Sequence, residues 1–291
     1  MQKTISKMIA LLSALLFLSA CGASGVSTPK TAQAQTQAKT PRRVVSLYAS
    51  YSAAWLAAGG SLAGVTDDAV NERHLDVGGA ALVGSLTRPS LEKILALEPD
   101  LILASPDVPG QLALQAQFLN LQIDARYYGC DTFEAYKVMM EDFLSSTGRD
   151  DLREKLIGTP EAQIKQAKVL AQGKTPRSVL LLRANSSGVQ VKSEGTVAAE
   201  ILRDLGAVNI AQKEPSLLRE LSLEIILREN PQFIFVVPQG IDDAQTAIDA
   251  LDPSWRSLTG QFIALPKDLY HYKPNERWGE AYAQLAAILY D

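Results

Sequence analysis

The sequence predicts an α/β protein of two Rossmann-like lobes with mainly parallel sheets, joined by a long helix. Three observations carry that expectation. The segment 90–103 recurs without a gap at 222–235, sharing Ser, Leu, Glu, Ile, Leu, Pro and Ile in register. Short apolar or β-branched runs alternate with helix-length amphipathic segments on both sides of the chain's midpoint. Between the two halves lies one charged amphipathic stretch, 149–173, that contains no strand-like run.

Each copy of the repeat reads as a short helix followed by a strand. Ser90 and Ser222 can accept a bond from a free N–H of the first helical turn, and Glu92 and Glu224 face its positive end. Leu and Ile then recur at helical spacing until Pro99 or Pro231 stops the helix. The apolar run after each proline is a buried strand.

The first lobe is assigned to 41–148. Its first strand is 43–47, its first helix 52–58, ended by Gly59-Gly60, and its second strand 62–66. The repeat follows, then a loop at 106–110, a helix at 111–119, a strand at 123–128 and a helix at 133–145. The connecting stretch 149–173 would reach roughly 35 Å at about 1.5 Å per residue. Gly158-Thr159-Pro160 interrupts it; Thr159 as a cap and Pro160 as a first helical residue predict a kink or break there. The second lobe, 174–291, repeats the plan. Strands are expected at 178–182, 189–191, 233–237 and 262–265, and helices at 196–205, 241–250 and 278–289.

Lys3 and Lys7 precede an apolar run at 9–18 that is too short to span a bilayer, so 1–20 reads as a secretory signal. Leu18-Ser19-Ala20-Cys21 resembles a lipobox, which predicts acylation of Cys21 and attachment to the extracytoplasmic face of the cell membrane. The alternative is an ordinary signal with Cys21 incidental. Each buried acyl CH₂ contributes about 0.8 kcal/mol to such an anchor. Residues 21–40 have almost nothing to bury and read as a disordered tether.

Composition removes several function classes. The net charge of −4 comes without a long basic run, so no nucleic-acid partner is expected. Cys21 and Cys130 give no disulfide framework, and Cys130 reads as a small buried hydrophobe. His74 and His271 have no neighbour at metal-ligand spacing, so no bare metal ion is expected to bind the protein directly. A chelated metal is different, because the chelator supplies the ligands. Hydrolase, zincin and phosphate-loop signatures are missing, and 59–64 lacks dinucleotide spacing; no enzyme is expected.

The run from Pro89 to Ile102, with Gly84 and Gly206-Ala207-Val208-Asn209, resembles substrate-binding lipoproteins of ABC importers for ferric siderophores, haem and vitamin B12, the class III periplasmic binding proteins. The resemblance covers about 42–290. It implies a monomer that captures a small metal chelate between its lobes, closes little, and presents the cargo to an ABC permease dimer with its ATPase. It further implies that Glu92 and Glu224 dock into basic pockets of the two permease subunits. The plainer alternative is that each glutamate only favours its helix N-terminus, worth roughly 0.3–1 kcal/mol.

Ligands of open α/β sheets lie beyond the carboxyl ends of the strands. The candidates there are Tyr48, Tyr51, Arg88 and Pro106-Asp107 from the first lobe. The second lobe adds Arg183, Asn185, Gln239, Tyr272, Lys273, Arg277 and Trp278. Aromatic rings and cations suit a conjugated anion such as a ferric siderophore. Trp278 as a staple of the last helix and Arg277 as a solvated cation are the alternatives at those two positions. No cofactor of its own is expected. Haem is second to a siderophore as cargo, with Tyr48, His74, His271 or Tyr272 as axial ligand, and cobalamin third. A tethered sensor that lost transport is the rival from another class.

Overall fold

The computed structural model describes residues 43–186, 188–240, 246, 248, 255 and 258–291. The signal, Cys21, the tether and most of the helix expected at 241–250 lie outside the described residues. Two parallel sheets form as the alternation requires. The first has the order β3-β2-β1-β6-β7 and is parallel throughout, built from β1 (Val44–Ser46), β2 (Gly64–Val65), β3 (Ala81–Leu82), β6 (Leu101–Ala104) and β7 (Asp124–Tyr127). A separate antiparallel hairpin, β4 (Gly84–Ser85) with β5 (Arg88–Pro89), precedes the first repeat helix and has no counterpart in the expected elements. Gly84 makes its tight turn: φ is 115°, and a Cβ there would sit 2.8 Å from the Arg88 carbonyl oxygen.

The second sheet has the order β10-β8-β11-β12, from β8 (Ser178–Asn185), β10 (Val208–Asn209), β11 (Phe233–Pro238) and β12 (Gln261–Ala264). β9 (Gly188–Lys192) folds back antiparallel on the end of β8. The helices of the first half are α1 (Ala49–Ala57), α2 (Asp68–Asn71), α3 (Leu91–Ala96), α4 (Pro109–Leu112), α5 (Gln115–Asn120) and α6 (Phe133–Thr147). The remainder are α7 (Thr159–Ala171), α8 (Val197–Asp204), α9 (Ile210–Lys213), α10 (Leu223–Glu229), α11 (Lys267–Tyr270) and α12 (Trp278–Tyr290).

The duplicated segment folds alike in both halves. Ser90 Oγ accepts from the Lys93 N–H at 3.3 Å, and Ser222 Oγ from the Ile225 N–H at 3.4 Å. The matching residues Ile94 and Ile226 are both 0% exposed, each sealing its helix onto its sheet. The stop lies one residue before the prolines. Glu98 and Asn230 take the left-handed conformation, φ 44° and 42°, which ends the helix before the proline enters the strand.

Of the kink or break expected at Pro160, a break does not occur, and the irregularity is a π turn just ahead of the proline. A 3₁₀ turn (Asp150–Leu152), a π turn (Glu154–Gly158) and α7 follow one another, and Thr159 continues the helix rather than capping it. Pro160 has no N–H to offer the Leu156 carbonyl one turn back. Tyr136 Oη donates to that carbonyl instead, at 2.9 Å, so the proline leaves no buried acceptor unmet. α12 packs along α7 so closely that a Cβ on Gly279 would lie 2.0 Å from the Gln163 side chain. The largest apolar cluster runs without interruption from Val44 and Leu101 through Tyr136, Leu156 and Ile164 to Val179, Phe235 and Leu285. Wide opening of one lobe against the other would split this cluster, so large hinge motion is opposed.

At the start of β1 the chain is pinned: the Arg43 N–H reaches Asp100 Oδ2 at 2.9 Å and its guanidinium Glu98 at 2.7 Å. That end of the sheet is opposite the carboxyl ends, where the cleft opens.

Candidate functional site

Loops leaving the carboxyl ends of both sheets enclose a cleft of about 390 Å³, a volume within the range of small-molecule sites (about 300–1,000 Å³). From the first lobe come Tyr48 to Ser50 after β1, Asp68 and Glu72 after β2, Asp107 after β6 and Asp131 after β7. The second lobe supplies Arg183 near the end of β8, Gln239 after β11, and His271 to Lys273 beyond β12. The loops hold one another in place through Gln111, which is fully buried. Its Oε1 accepts the Ser105 N–H at 2.8 Å, and its amide donates to the carbonyls of Leu47 and Leu86.

Six of the candidates meet in this space: Tyr48, Asp107, Arg183, Gln239, Tyr272 and Lys273. Tyr51 does not. It sits in the first turn of α1, fully buried, with its hydroxyl on the Tyr128 carbonyl, and stacks behind Tyr48 at 4.7 Å. Trp278 is also corrected: the indole is 0% exposed among Phe133, Tyr136 and Tyr282, so it staples the last helix as the apolar alternative had it. Arg277 is exposed and paired with Glu280 at 2.7 Å, away from the cleft. Arg88 points outward from β5, where the hairpin offers Leu86 to the cleft instead, and Asn185 lies outside the lining at the turn into β9. A strand-end rule finds the right loops but says nothing of side-chain direction.

Residues 271–275 cross between the lobes and fasten them. Lys273 Nζ pairs with Asp131, its N–H donates to Ser50 Oγ at 3.3 Å, and Asn275 Nδ2 donates to the Ser50 carbonyl at 3.0 Å. Tyr272 Oη donates to Glu72 at 3.3 Å while the Arg73 guanidinium lies 4.4 Å from its ring centre. Tyr272 is thus already engaged by the opposite lobe. Burial works against the Lys273 ammonium, but Tyr48 and Asp131 outweigh it, leaving its pKa above the usual value. Asp131 was not among the expected cleft residues although it follows a strand end, Tyr128-Gly129-Cys130-Asp131, as the other cleft loops do.

His271 is a strongly perturbed titratable group of the cleft. Burial, then Arg183, Lys273, Lys267 and Arg73, pull its pKa down to about 4. A depressed basic group is uncharged in the fold and binds its proton more readily when unfolded. Stability is therefore whole above about 6.5 and falls as pH drops towards 4, by on the order of 3 kcal/mol. Urea melts between pH 7 and 4 should show that slope in wild type and a flatter one in His271→Gln. Equal slopes would mean His271 is not the group responsible. His74 is exposed and outside the lining. Cys130 is buried, and that burial pushes its thiol up to about 12, so it is an inert core residue.

A larger cavity, about 520 Å³, lies between α6, α7, α8 and α12 rather than at strand ends. Its cations are spent on neighbours, Lys168 on Asp204 at 2.8 Å, Lys165 on Glu161 at 3.9 Å and Arg203 on Glu200. The smaller cleft is the one with unspent charge. Among the described residues no group of three or more His, Cys, Asp or Glu side chains is placed to hold a metal ion.

Fold and cleft together define an extracytoplasmic solute-binding protein, and residues 44–262 match the family model described as "Periplasmic binding protein". The chain belongs to that family, in the class that serves ABC importers; it is a binding protein and not an enzyme. The Fe(3+)-citrate-binding protein YfmC of Bacillus subtilis is 25% identical over 279 residues, 88% of this chain and 86% of that one. The putative ABC transporter substrate-binding lipoprotein YhfQ of the same organism is 26% identical over 271 residues, 84% of this chain and 82% of the relative. Among solved structures, the periplasmic heme-binding protein RhuT from Roseiflexus sp. RS-1 superposes with a TM-score of 0.67 at 24% identity. It covers 86% of this chain and 98% of its own.

Proposed function

We propose that the protein is a membrane-tethered receptor that captures a ferric complex, foremost a ferric siderophore, in the cleft and delivers it to an ABC permease. The observation that carries this reading is Arg183: a half-buried guanidinium at a strand end, lining the cleft, with no carboxylate of the protein within ion-pair distance among the described residues. An unpaired cation in such a place favours anionic oxygens from outside the protein. The name of the relative YfmC, a binder of Fe(3+)-citrate, supports an iron complex. Anchoring through acylated Cys21, the boundaries 1–20, 21–40, 41–148, 149–173 and 174–291, and docking through Glu92 and Glu224 belong to the same proposal. Both glutamates are exposed on the first turns of α3 and α10.

The test is a titration of purified protein with ferric siderophores, ferric citrate, haem and cyanocobalamin, read by absorbance and tryptophan quenching. Saturable binding of a ferric chelate at micromolar or lower Kd is expected, with haem and cobalamin weaker. Binding of haem alone would replace the siderophore by haem as cargo. Binding of nothing in the panel would favour a tethered sensor without transport.

A further inference from the structure

Six charged side chains line the cleft. Four are already engaged inside the protein. Lys273 pairs with Asp131, Glu72 accepts from Tyr272 at 3.3 Å, and Asp68 Oδ2 accepts the Ala49 N–H at 3.0 Å. The remaining two, Arg183 and Asp107, have no hydrogen bond or ion pair through their side chains among the described residues. They stand on opposite walls. Arg183 is near the end of β8 in the second lobe, and Asp107 follows β6 in the first. Their charges are opposite, yet they are not within the 4.0 Å of an ion pair with each other. Asp131 acts on Arg183 through space but is committed to Lys273.

A cleft so furnished discriminates by sign at each wall. A wholly anionic guest gains Arg183 and meets repulsion at Asp107. A guest with neither anionic oxygens nor a cationic group satisfies neither. Specificity is a difference between such terms. We infer that Arg183 and Asp107 select a ferric chelate of mixed charge, with anionic chelating oxygens against Arg183 and an ammonium arm against Asp107. This inference rests on the iron-complex function proposed above and narrows it to a chemical class.

Three probes separate the possibilities: ferrioxamine B, a ferric hydroxamate with a free ammonium arm, its N-acetyl derivative, and ferric citrate, which has no cationic group. Titrations of the purified protein should show ferrioxamine B binding about two- to fivefold tighter than the acetylated form, the factor expected of one ion pair with the exposed Asp107. Asp107→Asn should erase that ratio, and it should leave ferric citrate binding equal or tighter. Arg183→Gln should weaken all three by about tenfold or more. A shift of both ferrioxamine B and citrate in the same direction on Asp107→Asn would mark Asp107 as merely structural and overturn the inference. Equal binding of the ammonium and acetylated chelates would also overturn it, while leaving the iron-complex function standing. If none of the three bound, the function and the inference would fall together.

Discussion

Reversing the charge at both proposed docking positions, Glu92→Lys with Glu224→Lys, is expected to abolish uptake while leaving ligand affinity unchanged. The two glutamates occupy the same position in the duplicated segment, on helices whose caps are already made by Ser90 and Ser222. Neither side chain has a hydrogen bond or ion pair of its own among the described residues, and both are exposed. Their value to the fold is therefore the helix-end interaction alone, roughly 0.3–1 kcal/mol each, too little for the double reversal to unfold the protein. If the proposed docking holds, two lysines set against basic permease pockets would instead repel at both ends of the complex. Transport of a radiolabelled ferric chelate into cells, beside Kd measured by fluorescence, checks the split. Normal transport by the double variant would refute docking through these residues, and a lost Kd would place them in folding or binding instead.

Removing Asp131 should have the largest effect on stability. Asp131→Asn leaves the Lys273 ammonium, whose side chain is 9% exposed, without its counter-charge on the cleft floor. Breaking a buried pair from one side costs about 3–5 kcal/mol. At about 2–4 °C per kcal/mol for a chain of this size, the melting temperature should fall by roughly 6–20 °C. Lys273→Met added to Asp131→Asn should recover most of the loss, because no stranded charge remains. The pH dependence follows from the raised Lys273 pKa. The pair's contribution is complete below about 10.5 and is lost as alkali strips the ammonium in the fold. A loss below about 1 kcal/mol in the single variant would show that water already solvates Lys273.

Elements were easier to read from the sequence than the cleft, for physical reasons. The repeat and the apolar runs impose periodicity, and β6, β8, β11, α6, α8 and α12 all lie where it placed them. The hairpin β4–β5 and the short α2, α9 and α11 are too brief to carry a period. Of the kink or break expected at Pro160, the absence of the break was not legible because the compensating donor, Tyr136, lies 20 residues before its acceptor Leu156, in another helix. In the cleft, Tyr48 and Arg183 were legible because they end strands. Trp278 and Tyr51 were misjudged because composition does not say which way a helix's first turn faces. The engagement of Tyr272 and Lys273 by Glu72, Arg73, Asp131 and Ser50 depends on contacts between distant stretches that no local pattern records.

The pinned start of β1 has a practical corollary. Because Arg43 is fixed to Asp100 and Glu98 at the pole remote from the mouth, a solid support or fluorescent reporter joined ahead of residue 43 stands behind the binding surface. Biosensors built on this scaffold should therefore be coupled through that side, leaving solute free access.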